Sequence, residues 1–201
     1  MIKRLLDATF ALAGLVVFLP LLGVIAIAVR MACGRPVLFS QIRPGLNGRP
    51  FKIFKFRTMI PIEQDNARPS DAERLTRLGR FLRATSLDEL PELWNVLKGD
   101  RSVVGPRPLL MEYLERYSPE QMRRHEVRPG ITGWAQIHGR NDTTWDERLA
   151  RDVWYVDHRS LVLDLKILLR TVFLVLRRQG VSARGHATMP EFRGPASREK
   201  R

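Results

Sequence analysis

The chain has 201 residues, of which 44% are hydrophobic and 27% are charged, so its composition is that of a folded protein and not of a disordered one. Lysine and arginine outnumber aspartate and glutamate by 34 to 21, and the resulting formal net charge of +13 favours anionic partners. The single cysteine excludes an internal disulfide framework and a cysteine-rich zinc site. The glycine-rich motifs of dinucleotide-binding and P-loop proteins are absent from the sequence.

The segment from Ala8 to Val29 carries no charged residue and is long enough for a membrane helix, which needs about 20 apolar residues. Pro20 lies near its middle and removes one helix hydrogen bond. Basic residues flank both ends, so the distribution of positive charge does not orient a spanning helix. We therefore predict a re-entrant segment, with a break at Pro20 and both ends on the same side of the membrane. A proline-kinked spanning helix is the alternative.

The rest of the chain alternates short elements with turns rich in proline and glycine. We predict a mainly α fold with a few short β-strands (α+β), divided into a re-entrant membrane hairpin (1–34), a cytosolic domain (35–185) and a basic flexible tail (186–201). The predicted elements of the cytosolic domain are a strand over 51–56 and helices over 72–83, 91–98, 109–124 (broken by Pro119), 145–158 and 160–178.

The predicted helix over 160–178 has apolar residues around most of its circumference, with a few charged residues among them. A helix that is apolar on all sides is typical of a buried core element. Basic residues among apolar ones are also typical of a helix that lies in the interface of a membrane. The pattern leaves both interpretations open.

Two adjacent acidic residues, Asp88 and Glu89, precede Pro91 at a predicted helix start. Adjacent helical side chains point about 100° apart, so the two carboxylates cannot perform the same task. One could act as a nucleophile while the other binds a metal ion. The alternative is structural, because Ser86 and Glu89 have the spacing of a capping box.

Arginine recurs beside proline or glycine in four turns, which contain Arg43, Arg107, Arg128 and Arg140. Proline restricts the backbone of such a turn, so an arginine held there loses less freedom when it binds an anion. Several turns of this kind indicate a site for a diphosphate. A nucleic-acid partner is not favoured, because the scattered aromatic residues form no RNA-binding motif.

Taken together and in this order, the motifs closely resemble those of the bacterial sugar transferase family, the monotopic phosphoglycosyl transferases, in their small single-domain form. The resemblance covers roughly residues 1–185. The matching motifs are Lys3-Arg4-x-x-Asp7, the apolar segment around Pro20, Arg43-Pro44-Gly45, Lys55-Phe56-Arg57-Thr58-Met59, Ser86-Leu87-Asp88-Glu89-Leu90-Pro91, Gly105-Pro106-Arg107-Pro108, Arg128-Pro129-Gly130-Ile131-Thr132-Gly133 and Gly139-Arg140-Asn141.

The resemblance implies an enzyme at the cytoplasmic face of the bacterial inner membrane, with interfacial amphipathic helices. Such enzymes transfer a phospho-sugar from a UDP-sugar to polyprenyl (undecaprenyl) phosphate and release UMP, using Mg²⁺. By this resemblance Asp88 is the nucleophile that forms a phosphosugar-aspartyl intermediate, and Glu89 binds the metal ion. The residues expected to bind phosphate groups are Lys55, Arg57, Arg83, Arg107, Arg128 and Arg140.

The expected partners are therefore the UDP-sugar donor, the polyprenyl phosphate acceptor and the membrane, with a homo-oligomer left open and no nucleic acid. A second function class remains as the alternative. A membrane-tethered basic adaptor that binds anionic lipid or nucleic acid, without catalysis, would also be strongly basic. The acidic pair Asp88-Glu89 distinguishes the two classes, because an adaptor has no use for it.

Overall fold

The computed structural model describes residues 1–61, 70–138, 143–177 and 191–194. Helices predominate and the described strands form two small two-stranded sheets, which confirms the predicted mainly α fold with a few short strands. The elements are α1 (Ile2–Cys33), β1 (Leu38–Pro44), β2 (Pro50–Phe56), α2 (Asp71–Arg74), α3 (Arg77–Thr85), α4 (Glu92–Lys98), β3 (Ser102–Val104), α5 (Pro119–Met122), β4 (Gly130–Thr132), α6 (Trp134–Ile137), α7 (Trp145–His158) and α8 (Leu161–Leu176).

Helix α1 is one helix of 32 residues that continues through Pro20. The structure therefore shows no division into two helices at Pro20, and the re-entrant path of this segment stays a prediction. A proline removes one donor and crowds one carbonyl, but the hydrogen bonds on either side of it can persist, so a helix is kinked more often than it is ended. By length and composition α1 is able to cross a membrane.

The first turns of α1 are fixed to the domain by charged side chains. Lys3 pairs with Asp164, and its ammonium group also donates to the Val104 carbonyl over 3.2 Å. Both terminal nitrogens of Arg4 donate to carbonyl groups at the end of α4, each over 2.6 Å. The buried carboxylate of Asp7 accepts from the Ser102 hydroxyl and the Val103 amide. The basic residues before the apolar segment thus bind protein groups.

The last turns of α1 pack against the same domain. Ile25, Val29 and Cys33 are buried with Phe56 of β2 and Leu82 of α3. The middle of the helix is exposed, with Val17 at 70% and Leu19 at 66% of their full accessibility. Both ends of α1 therefore contact one domain, and the apolar surface around Pro20 lies between them.

The strands β1 and β2 form an antiparallel hairpin in which Leu38 faces Phe56 and Pro44 faces Pro50. Asn47 and Gly48 adopt positive φ in the turn, a conformation that asparagine and glycine tolerate best. Side chains alternate along β2, so Phe56 packs inward while Lys55 points to the opposite face. That alternation supplies one cation of the candidate site.

The region predicted as one helix over 72–83 forms two helices instead. Thr76 ends the first part because its hydroxyl caps the start of α3 at Gly79, over 2.9 Å. The predicted helix over 109–124 is also divided, into two 3₁₀ turns with α5 between them. Pro119 begins α5 rather than breaking a helix, because Ser118 and Gln121 form a capping box around it. Helix α4 ends at Gly99, as predicted.

A parallel pair of short strands, β3 and β4, lies at the centre of the domain and was not predicted. Each strand has three residues, too few for the hydrophobic alternation that marks a strand in a sequence. The backbones approach so closely that a Cβ atom on Gly130 would clash with the amide of Gly105. The turn that carries Arg107 begins at this contact.

Helix α7 has the predicted bounds, and Thr144 and Glu147 form a capping box at its start. Helix α8 buries one face, including Ile167 and Asp164, and exposes an apolar face. A fully buried core helix, one of the two interpretations of its sequence, is therefore wrong. The exposed apolar residues of α8 are Leu161, Val162, Leu165, Leu169, Val172 and Phe173.

The structure describes only residues 191–194 of the predicted flexible tail over 186–201. Residues 191–194 lie on the domain, and the side chain of Phe192 is only 1% exposed. It packs among Tyr113, Tyr117, Trp145 and Leu149. The basic and polar composition of this segment did not indicate that one apolar side chain, Phe192, would be buried.

Candidate active site

The acidic pair lies in a single 3₁₀ turn, Leu87–Glu89, between α3 and α4. Ser86 precedes it with a positive φ of 56°, an uncommon conformation for a serine, and so turns the chain sharply out of α3. The Ser86 side chain makes no cap hydrogen bond. The capping-box interpretation of Ser86 and Glu89 is therefore wrong, and both acidic side chains are available for other contacts.

Glu89 binds two cations through one carboxylate oxygen. Its Oε1 atom accepts from the Lys55 ammonium over 2.7 Å and from Arg107 over 2.6 Å. Burial alone would raise the pKa of Glu89, but the charges of Arg107 and Lys55 outweigh burial and hold the pKa well below its usual range. Glu89 is therefore an anion at any pH near neutral.

Asp88 occupies a different environment, although it is the adjacent residue. It is 8% exposed, and burial raises its pKa above the ordinary value, with a further rise caused by the Glu89 carboxylate. The nearby cations act in the opposite direction: Lys55, Arg107 and Arg83. The pair thus consists of one firmly ionised carboxylate and one whose charge is held less tightly, as two carboxylates with different tasks require.

Lys55 is shared between two carboxylates, because it also lies 3.0 Å from the Oε1 atom of Glu92. Glu92 in turn pairs with Arg101, and both side chains are completely buried. Burial lowers the pKa of Arg101 to about 9, so the guanidinium stays charged at neutral pH. Sequence analysis missed this pair. In the sequence, Glu92 looks like an ordinary acidic residue in the first turn of a helix. The residues around it do not indicate that Arg101 pairs with it.

Arg107 reaches Glu89 from the turn that follows β3, and a buried guanidinium supports that turn. Arg124 donates to the carbonyl of Arg107 over 2.7 Å and holds the carboxylate of Asp152 at 2.7 Å. Arg124 and Asp152 are each 2% exposed. They were not predicted either, because their sequence neighbours indicate only a surface helix.

The other four predicted phosphate-binding residues have different surroundings. Arg83 lies near the acidic pair, where it donates to the Thr58 hydroxyl over 3.0 Å and acts on the charge of Asp88. Arg57 continues from β2, and its buried Nε atom has no hydrogen-bond partner in the described part of the chain. Arg128 instead donates to the Gly99 carbonyl, at the opposite end of α4 from Asp88 and Glu89. Arg140 lies outside the described residues.

A metal ion at this site would depend on few protein ligands. Within residues 1–61, 70–138, 143–177 and 191–194, no group of three or more histidine, cysteine or acidic side chains is arranged to bind one. Mg²⁺ typically binds proteins through one or two carboxylates together with phosphate groups of the substrate. The ionised Glu89 carboxylate, whose two described hydrogen bonds both end on Oε1, fits that limited role.

The buried pair of Glu92 and Arg101 generates a stability prediction. Replacing Glu92→Gln leaves the Arg101 charge buried without its partner, and we expect a loss of roughly 3 kcal/mol in the free energy of unfolding. The double variant Glu92→Gln, Arg101→Met removes the charge as well, so it should recover most of that loss. Denaturant unfolding of the purified protein measures both. A double variant as unstable as the single one would contradict the assignment.

Comparison with known proteins identifies the family of the chain. The sequence model described as bacterial sugar transferase matches residues 1–178. An uncharacterized sugar transferase, EpsL, of Bacillus subtilis is 52% identical over 96% of each chain. UDP-glucose:undecaprenyl-phosphate glucose-1-phosphate transferases of Klebsiella pneumoniae and Caulobacter vibrioides are 45% and 44% identical over 85% of this chain, which covers 39% and 68% of their lengths. The chain is therefore an enzyme and not the alternative non-catalytic adaptor, and it belongs to the bacterial sugar transferase family.

Proposed function

We propose that this enzyme transfers a phospho-sugar from a UDP-sugar to polyprenyl phosphate and releases UMP. The names of the Klebsiella and Caulobacter relatives support the class of donor and acceptor. The observation that carries the proposal is the buried pair of adjacent carboxylates, Asp88 and Glu89, with Lys55, Arg83 and Arg107 around it. Cations arranged in this way neutralise the charge that develops on a phosphoryl group during its transfer.

In the first step, an oxygen of the Asp88 carboxylate attacks the β-phosphorus of the donor. The bond from that phosphorus to the bridging oxygen breaks, and UMP leaves with the bonding electrons. In the second step, an oxygen of polyprenyl phosphate attacks the same phosphorus and displaces Asp88 as a free carboxylate. A covalent intermediate of this kind divides one difficult displacement into two easier ones.

The electrostatics support this division of tasks. Asp88 attacks only as an anion, and the three surrounding cations favour its ionised form against the effect of burial. Glu89 stays ionised and holds Lys55 and Arg107 in place. When Mg²⁺ is bound, it supplies Lewis-acid neutralisation of the diphosphate, and Glu89 would be its protein ligand.

The apolar surfaces of α1 and α8 support contact with a membrane, and we propose that this is the cytoplasmic face of the bacterial inner membrane. Polyprenyl phosphate presents its charge at the level of the lipid headgroups, so the site must lie close to that level. We propose that α1 is re-entrant, since Lys3 and Cys33, near its two ends, contact the same domain. The exposed apolar face of α8, which includes Leu165 and Leu169, would lie in the interface of the same leaflet.

The first functional prediction concerns the nucleophile. Asp88→Asn should lower sugar-phosphate transfer by several orders of magnitude, because an amide cannot form the phospho-enzyme. The raised pKa of Asp88 means that its charge costs stability when the pH is above that pKa. The variant should therefore be at least as stable as the parent at neutral pH, with the difference shrinking as the pH falls through that pKa.

UMP release and thermal unfolding at several pH values measure the two effects. Glu112→Gln is the matched control, because the Glu112 side chain is 54% exposed and its change should alter neither quantity. Near-normal turnover of Asp88→Asn would exclude Asp88 as the nucleophile.

The second functional prediction concerns the metal ion. Because Glu89 is one hard oxygen ligand and the diphosphate supplies the others, the ion should be held weakly and removed easily. EDTA should abolish transfer, and excess Mg²⁺ should restore it. EDTA saturated with Mg²⁺ beforehand serves as the control. Full turnover in EDTA would show that Glu89 binds no metal ion that the reaction needs, so that its role would be limited to its contacts with Lys55 and Arg107.

The third functional prediction concerns membrane topology. In a Cys33→Ser background, a cysteine placed at Ile2, which is 69% exposed, reports the position of the N-terminus. A membrane-impermeant thiol reagent should fail to label Ile2→Cys in intact cells and should label it after lysis. Glu112→Cys, on the domain, is the matched control and should behave identically. Labelling of Ile2→Cys alone in intact cells would show a spanning helix.

A further inference from the structure

The C-terminal residues 191–194 fill an aromatic socket on the domain. The ring of Phe192 lies 5.5 Å, between centroids, from each of the rings of Tyr113, Tyr117 and Trp145. Leu149, which is completely buried, closes the same cluster. Offset and edge-on ring contacts at this separation are favourable beyond the burial of apolar surface.

Polar contacts fix the backbone around this ring. The Phe192 amide donates to the Tyr113 hydroxyl over 3.2 Å, and Arg116 donates to the Phe192 carbonyl over 2.5 Å. Arg116 also pairs with Glu191 at 2.6 Å. The segment is thus held by its side chain and its main chain together, and this combination specifies one docking register.

The socket is joined to the active site by direct contacts. Tyr117, which touches Phe192, accepts a hydrogen bond from Arg124 over 3.3 Å, and the Arg124 guanidinium lies 5.6 Å from the centre of the Tyr117 ring. Arg124 then donates to the carbonyl of Arg107. Arg107 itself binds Glu89. The chain of contacts from Phe192 to the acidic pair is therefore continuous.

We propose that Phe192 is a positioning residue for the transfer reaction, which holds Arg107 in place through Tyr117 and Arg124. The inference rests on the proposed function, in which Arg107 binds the diphosphate of the donor. Removal of the ring leaves Tyr117 free to shift, which weakens its hydrogen bond with Arg124, the residue that holds the carbonyl of Arg107. A displacement of the order of 1 Å in such a group is enough to reduce turnover substantially.

The test uses the full-length protein with Phe192→Ala. We expect the KM for the UDP-sugar to rise about tenfold, since a misplaced Arg107 weakens donor binding. Phe192→Leu keeps most of the apolar volume and should recover much of the loss. Arg193→Ala is the matched control, because Arg193 is the exposed neighbour and should leave the KM unchanged.

A second experiment tests whether a peptide of residues 187–197 restores the function of Phe192→Ala. Added to Phe192→Ala at about millimolar concentration, which is comparable to the effective concentration that a short tether provides, it should occupy the socket and lower the KM again. The same peptide with alanine at position 192 should have no effect. Hydrogen exchange of the segment around Arg107 and Arg124 should accelerate in Phe192→Ala and slow down when the peptide is added.

The outcomes separate this inference from the proposed function. A lower melting temperature of Phe192→Ala with an unchanged KM would overturn the positioning role and leave only a structural one. Absence of rescue by the peptide, in both KM and hydrogen exchange, would also overturn it. A parent protein that transfers no sugar phosphate from any UDP-sugar would overturn the proposed function, while hydrogen exchange would still report whether the socket controls Arg107.

Discussion

The arrangement of the site depends on the burial of opposite charges that must neutralise one another. Lys55 lies between Glu89 and Glu92, Glu89 also binds Arg107, and Glu92 also binds Arg101. A charge removed from water without a partner costs several kcal/mol, so no member of this network can move alone. Asp88 is the exception, because no described hydrogen bond or ion pair holds its carboxylate. A carboxylate that is not held by such a contact is able to approach a phosphorus atom, as a nucleophile must.

The backbone around the site is as constrained as the charges. The turn that carries Arg107 starts where β3 and β4 approach so closely that only glycine fits at Gly105 and Gly130. The Gly130 amide then donates to the Pro106 carbonyl over 2.9 Å, which closes the turn. Arg124 holds its far side. A guanidinium on a turn fixed from both sides is prepared for an anion before the anion arrives.

A feature could be predicted from the sequence when it depends on residues that are close together along the chain. The bounds of α7, the end of α4 at Gly99 and the place of Asp88 and Glu89 before a helix depend on neighbouring residues, and local patterns were sufficient. The pairing of Glu92 with Arg101 and the contact of Arg124 with Arg107 join elements that only the fold brings together.

Two differences between the sequence prediction and the structure have another origin. A break was predicted at Pro20, whereas α1 is assigned as a single helix through it. The buried position of Phe192 was not predicted, because the composition of a segment is an average over its residues. The basic composition of the tail therefore did not indicate that one ring would be buried in the domain.

The contacts of Lys3, Arg4 and Asp7 have a consequence for the order in which the protein is made. Lys3 leaves the ribosome first, yet its partner Asp164 follows 161 residues later. At 5–20 residues per second, synthesis takes roughly ten to thirty seconds to reach that point. Until then Lys3 lacks Asp164, although the groups that bind Arg4 and Asp7 are already made, at residues 96–103. The apolar helix must therefore find its place before the domain is complete, and the domain closes onto it afterwards.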